Sequence, residues 1–333
     1  MLWLFGFGRC ARQTRGLHTI HWFMVSAGTV SRPQLLGYVA LCCIWGSTWL
    51  AIRVAVQYIP PLEAAAVRFL AAGLLLLGMA AAQRRRWPHG QQQWNTLVVL
   101  SLTFLAIPYG LVFWAEQYVS SGMTAVLFSA FPLVVALLTP LMTGKKVPRQ
   151  AVFAMLVACG GLAYLFYDGL GNDRKALLGG IAVVAAVLIS SWSLVYAKDR
   201  LQHVDAVVSS TFQLLFGSVA LLWATWALES HKHAVWNQSA VLAVAFLVLF
   251  GSCAAFVIYY WLLKHMQPYQ LSTLNLVFPI IAVIEGAVLQ HEHVGVLMVI
   301  AMTLVLGAVF VALRAQAVET RNDGRVLVVE ENR

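Results

Sequence analysis

The chain has 333 residues, of which 61% are hydrophobic and 11% charged, and carries a formal net charge of +9. A soluble domain holds about 25% charged and about 45–50% apolar residues; this chain lacks the polar skin a water-soluble fold needs, so lipid has to solvate its outside. The positive charge excludes a nucleic-acid partner rather than suggesting one: Lys and Arg fall in short segments between apolar runs, as in cytoplasmic loops, with no aromatic-interleaved basic stripe.

Residues 1–34 contain Arg9, Arg12, Arg15 and Arg32 and no acid, and the apolar start is broken at Arg9, too early for a secretory segment. They read as a cytoplasmic leader, disordered, with residues 1–23 untranslated if synthesis starts at Met24. Apolar runs follow at about 35–58, 62–82, 94–117, 121–143, 150–168, 177–197, 205–228, 239–263, 270–290 and 294–314. Each is long enough to cross a hydrocarbon core of ~30 Å at ~1.5 Å per residue. The predicted fold is an all-α integral membrane protein of about ten helices, antiparallel neighbours across short loops, with a polar cytoplasmic tail over 315–333. Of the 22 Lys and Arg, 17 fall in segments that are cytoplasmic if the N-terminus is inside; Arg174, Lys175 and Lys232 fall outside. That asymmetry predicts cytoplasmic termini in a multi-pass protein of the cell (inner) membrane. Cys42, Cys43, Cys159 and Cys253 lie inside apolar runs without CxxC spacing and read as small core residues.

The two halves repeat. At an offset of 147 residues Trp45 matches Trp192, Trp114 matches Trp261 and Leu127 matches Leu274. Phe131–Pro132 matches Phe278–Pro279, and Gly160 matches Gly307. Repeat units over 35–168 and 177–314 hold five helices each. An odd number turns the second unit upside down, and inverted repeats are a transporter architecture with the substrate site between them near the midplane.

The segment WGSTWLAIRVAVQYIPPLEAAAVRFLAAGLLLL resembles the first two helices of EamA-type permeases of the drug/metabolite transporter superfamily. VFWAEQYVSSGMTAVLFSAFPLVVALL resembles their third and fourth, and QPYQLSTLNLVFPIIAVIEGAVLQHEHVGVLMVIAMTLVLG their last two. The resemblance covers about 35–314 and implies ten helices in a 5+5 inverted repeat and export of small metabolites or drugs. Such proteins often carry Glu after both the fourth and ninth helices; here Glu292 fills the second position and Lys145 the first, so a role needing both acids is not carried over.

Candidate substrate-binding residues follow from depth and spacing. Pro132 and Pro279 fall mid-helix at repeat-related positions, and Pro108 interrupts the third helix; paired interruptions point to a transporter site, although packing kinks read the same way. Asn275 offers an amide on the small-residue face of the ninth helix. Trp45, Ser47 and Trp49 share the first helix and suit either an amphipathic pocket or the core. Arg53, Arg68 and Glu285 lie one to two turns below the predicted outer surface, near Glu63 and Glu116. Charges within spans are costly and usually paired. They form a structural clasp, or a coupling and gating layer in which Arg68 releases Glu116 or Glu285 to external protons on opening, giving proton antiport. Trp223 and Trp226 read as interfacial belt. HKH at 231–233 and HEH at 291–293 have no further ligands nearby, so no metal is expected; no GxSxG, HExxH or P-loop occurs and no cofactor is implied. The sequence reads as a secondary transporter of a small molecule working in the lipid bilayer. A membrane enzyme and a non-transporting channel or scaffold are the alternatives, and monomer and homodimer stay equally open.

Overall fold

The computed structural model describes residues 31–143, 153, 157, 173–266, 271–272, 274–289, 295–296, 299–300, 302–304 and 307. The leader before residue 31, nearly all of the fifth expected span, most of the tenth, the tail, Lys145, Gly160 and Glu292 lie outside the described residues. Among the described residues all regular structure is helical: α1 Arg32–Val56, α2 Pro61–Ala82, α3 Gln91–Ala115, α4 Ser121–Phe128, α5 Phe131–Thr143, α6 Arg174–Arg200, α7 Ala206–Glu229, α8 Gln238–His265 and α9 Leu274–Leu289. Seven stretches of the described residues are long and apolar enough to cross a membrane, α4 and α5 counting as one. The chain is therefore a multi-pass membrane protein.

The helices start where the sequence supplies caps. Pro60 and Pro61 open α2, where a missing N–H is harmless. Asp173, Asp205 and Asn237 accept backbone N–H groups at the starts of α6, α7 and α8, satisfying donors the first turn cannot satisfy itself. The fourth span, expected to kink at Pro132, is divided at Ser129–Ala130, with Pro132 in the first turn of α5. Pro108 does not break α3. A π-helical turn over Ser101–Ala106 precedes it and carries the helix through. A second π-helical turn, Leu249–Ala254, lies in α8, one residue beyond the 147-residue register, although α8 has no proline. Pro279 lies within the continuous backbone of α9.

The largest helix–helix interface joins α2 to α7, which the repeat relates. Ala64, Ala65, Ala66 and Ala72 are fully buried on α2, and a Cβ on Gly73 would lie 2.7 Å from Leu215 Cδ2. Small residues let two backbones approach where lipid gives no hydrophobic drive between helices. Both ends are clamped. Glu229 at the end of α7 accepts from Leu62 N at 2.9 Å and Glu63 N at 3.3 Å at the start of α2, a carboxylate on a helix N-terminus. Asp205 before α7 meets Arg85 beyond α2 at 3.0 Å. The two helices thus run antiparallel.

Around this pair the contacts exchange between halves. α1 packs on α8 and α9, while its repeat relative α6 packs on α3, α4 and α5; α2 meets the π-helical turn of α8, and α7 meets that of α3. Large apolar side chains face outward, among them Leu74, Leu75, Val219, Trp223, Trp226, Phe250 and Ile284, where only lipid can cover them.

Gly46 sets the approach of α1 to α9: a Cβ there would fall 2.7 Å from Ile281 Cδ1 and 2.8 Å from Ile281 Cβ. Gly46→Ala should destabilise by about 1–3 kcal/mol through overpacking, with Ile281→Ala restoring part of the loss. Gly78→Ala, where a side chain would meet nothing within 4 Å, should not lower the melting temperature in detergent. Equal melting temperatures for Gly46→Ala and wild type would contradict the close approach.

Candidate functional site

A cavity of about 70 Å³ lies where α1, α3, α4, α5, α6, α8 and α9 converge. Aromatic rings make much of its wall: Trp45 and Trp49 from α1, Phe104 and Tyr109 from α3, Phe128 from α4, Phe131 at the start of α5 and Tyr259 from α8. Phe278 from α9 completes it. Trp45 holds the centre, with ring centroids 5.2 Å from Tyr259, 5.7 Å from Phe256 and 5.9 Å from Phe278. Such edge and tilted contacts are the favoured aromatic geometries.

Repeat-related positions meet at this wall. Phe131 and Phe278 both line it, as do Phe128 with Asn275 and Val112 with Tyr259. In the last two pairs the second half supplies the polar member. Thr48, Ser190 and Ser272 add hydroxyls. The Asn275 Nδ2 group donates to Ser272 O at 3.1 Å. Trp49 Nε1 and Tyr259 Oη have no hydrogen-bond partner among the described residues, although Trp49 is 7% and Tyr259 4% exposed. No Asp, Glu, Lys, Arg or His is among the described lining residues.

Behind one side of the wall stands Arg68, 1% exposed. Its Nε donates to Ser252 Oγ at 2.8 Å and its Nη2 to Gly251 O at 2.9 Å, both in the π-helical turn of α8. The Trp45 Nε1 group donates to the same Gly251 carbonyl at 3.3 Å; a carbonyl has two lone pairs and serves both. The guanidinium carbon lies 5.3 Å from the Phe69 ring centroid, 5.1 Å from Tyr109 and 5.9 Å from Phe113. Gly251 is required there, since a Cβ would come within 2.9 Å of Thr48 Cγ2 and 3.2 Å of Arg68 Nη2.

The structure distributes the sequence candidates among three places. Trp45, Trp49 and Asn275 line the cavity; Pro132 adjoins it through Phe131, and Pro279 follows Phe278 on α9. Ser47 is elsewhere: its Oγ donates to Glu285 Oε1 at 2.7 Å and bridges α1 to α9. Glu285 Oε2 has no hydrogen-bond partner among the described residues. Arg53 donates through Nη1 to the backbone carbonyl of Glu116, tying α1 to the end of α3, while Glu116 itself is fully buried. None of the ion pairs between described residues joins Arg53 or Arg68 to Glu63, Glu116 or Glu285; in this conformation Arg68 meets a carbonyl and a hydroxyl instead. Tyr109, Phe128 and Tyr259 escaped the sequence reading. The repeat offset marks Phe128 and Tyr259, as the relatives of Asn275 and Val112.

Comparison with known proteins agrees with this architecture. The EamA-like transporter family profile matches residues 33–167 and again 177–314. The chain is 30% identical over 278 residues to the uncharacterized inner membrane transporter YedA of Escherichia coli K12, covering 83% of this chain and 89% of that protein. It is 26% identical over 279 residues to the uncharacterized transporter YoaV of Bacillus subtilis, covering 83% and 95%. Protein PagO of Salmonella typhimurium is 26% identical over 283 residues, covering 84% and 92%. One crystal structure superposes with a TM-score of 0.64 at 21% identity over 86% of this chain and 100% of its own, a likeness of fold.

Proposed function

On the premise that the chain belongs to the EamA-like transporter family, we propose that it is a secondary transporter exporting a small organic solute across the cytoplasmic membrane. Two inverted five-helix units alternate access to the aromatic cavity between them. The observation that carries this reading is the set of repeat-related pairs, Phe131 with Phe278, Phe128 with Asn275 and Val112 with Tyr259, around one cavity. A site built at matching positions of two halves can be approached from either side if the halves rock against each other. The antiparallel course of α2 and α7 supports the inversion. An enzyme needs convergent acids, bases or a nucleophile; the described cavity wall has none of these beyond hydroxyls, and the family and relatives bear the names of transporters.

The purified chain in liposomes should show saturable counterflow of its solute. Asn275→Leu should lower the exchange rate while leaving membrane expression intact, and Ser190→Leu, which fills the cavity from α6, should abolish exchange. Counterflow unaffected by both substitutions would move the transport path elsewhere, and no counterflow of any small-molecule pool would remove the transport reading.

Orientation follows from the charge count, with both termini in the cytoplasm. A C-terminal alkaline phosphatase fusion should be inactive and a fluorescent fusion bright; the reverse pattern overturns this topology.

Proton coupling through Glu116 or Glu285 is part of the same proposal. Ser47–Glu285 joins α1 to α9 and Arg53–Glu116 joins α1 to α3, so movement of α1 changes the surroundings of both acids, and intramembrane acids serve as proton relays. At least one of Glu116→Gln and Glu285→Gln should keep solute exchange yet lose accumulation driven by a pH gradient. Full coupling in both variants would leave a facilitator or another driving ion.

A further inference from the structure

We propose that the cavity selects an organic anion, an apolar body carrying a carboxylate or similar monoanion, through the uncompensated charge of Arg68. This rests on the transport reading and adds the chemistry of its solute.

Aromatic walls by themselves favour cations, because ring faces are negative. Here a cation already occupies that role. The Arg68 guanidinium lies against Phe69, Tyr109 and Phe113, and Tyr109 is also cavity wall. Its Nη2 shares the Gly251 carbonyl with Trp45, another wall residue. A Cβ on Gly251 would touch both Thr48 and Nη2, so the wall residue Thr48 and the guanidinium adjoin the same point of α8. The charge thus stands one side chain behind the wall, and no carboxylate of a described residue pairs with it. Arg53 is held by the backbone carbonyl of Glu116 at the end of α3, and Glu285 is bound to Ser47 on the α1–α9 seam. Arg68 is thus a positive charge placed directly against the Thr48–Tyr109 side of the wall.

A second observation points the same way. Trp49 Nε1 can only donate, is buried, and has no acceptor among the described residues; Tyr259 Oη has none either. A carboxylate is an acceptor and an ammonium group is not, so of the two charged head groups only the anion can serve the indole N–H. The remaining rings cover the apolar body of the solute.

The test uses the full chain in nanodiscs and three probes with one phenylpropyl body: 3-phenylpropionate, 3-phenylpropanamide and 3-phenylpropylamine. Binding is measured by calorimetry, with liposome counterflow measured in parallel. The anion should bind about tenfold or more tighter than the amine, with the amide between. Arg68→Gln should erase that ratio and Arg68→Lys should keep it. Ser252→Ala, which removes only the Nε acceptor, should also keep it, separating the field of the charge from its role in packing. An amine that binds as tightly as the anion, an anion that does not bind at millimolar concentration, or an Arg68→Gln protein with the ratio unchanged would overturn the proposal. If Arg68→Gln does not fold, the wild-type order of the three probes still decides. Exchange without a charge preference would sink the anion while leaving transport intact. Tight anion binding without exchange would do the reverse.

Discussion

Inside a bilayer a backbone carbonyl that leaves the regular helical ladder has no water to turn to, and it costs free energy until a protein donor reaches it. A π-helical turn loosens that ladder, and among the described residues two occur at nearly repeat-related places. In α8 the demand is met by Arg68 from α2 and Trp45 from α1, which converge on Gly251 O. In α3 the neighbours come from the repeat-related helices α7 and α6 and are uncharged: Gly217 packs so closely that a Cβ would lie 3.1 Å from Ser101 O, and the Ser193 hydroxyl donates to Thr103 Oγ1 at 2.8 Å. Related helices thus flank both turns, and a charge meets a turn carbonyl in α8. That contact places a cation on one side of the central cavity.

Duplication explains where the cavity lies, and divergence explains its polarity. Phe131 and Phe278 place an aromatic at both repeat-related positions, whereas Phe128 is paired with Asn275 and Val112 with Tyr259 by the repeat. Each change puts a hydrogen-bonding group where an exact repeat would put a hydrocarbon. Further from the cavity the repeat relaxes: Trp192, the relative of Trp45, stacks on Tyr196 at 4.9 Å within α6 and does not line the cavity.

Hydropathy made the helices legible because lipid enforces one rule over twenty residues at a time. Depth and helical spacing made the cavity legible in part, since Trp45, Trp49 and Asn275 line it. The π-helical turns left no trace, because Ser101–Ala106 and Leu249–Ala254 read as ordinary apolar helix; the one-residue widening depends on what packs against it. The partners of the charges were equally hidden. Depth along the helices put Arg68 in a layer with Glu116 and Glu285, but depth carries no azimuth, and α2 turns Arg68 toward α8. Ser47 failed for the same reason: it is two residues from Trp45, about 200° around a helix, so it faces the α9 seam while Trp45 faces the cavity. Helical spacing alone separates Ser47 from Trp45 and Trp49, and weighing it would have split the three.

The manner in which Arg68 is held decides what its charge does. A carboxylate beside it would cancel the charge, and the pair would act at a distance only as a dipole. The groups that hold it are a carbonyl, a hydroxyl and three ring faces. These stabilise a cation locally through dipoles and quadrupoles, whose own fields fall off faster than that of a charge. They offset part of the cost of desolvation without changing the net charge, so the monopole persists beyond them. In surroundings of low effective dielectric, a unit charge still acts strongly across a single side-chain layer. Thr48 and Tyr109 form such a layer. On the proposed transport reading, the arrangement keeps a guanidinium fixed away from the solute path, where it is not trapped in a direct ion pair that would slow release, while its field still acts on whatever occupies the cavity.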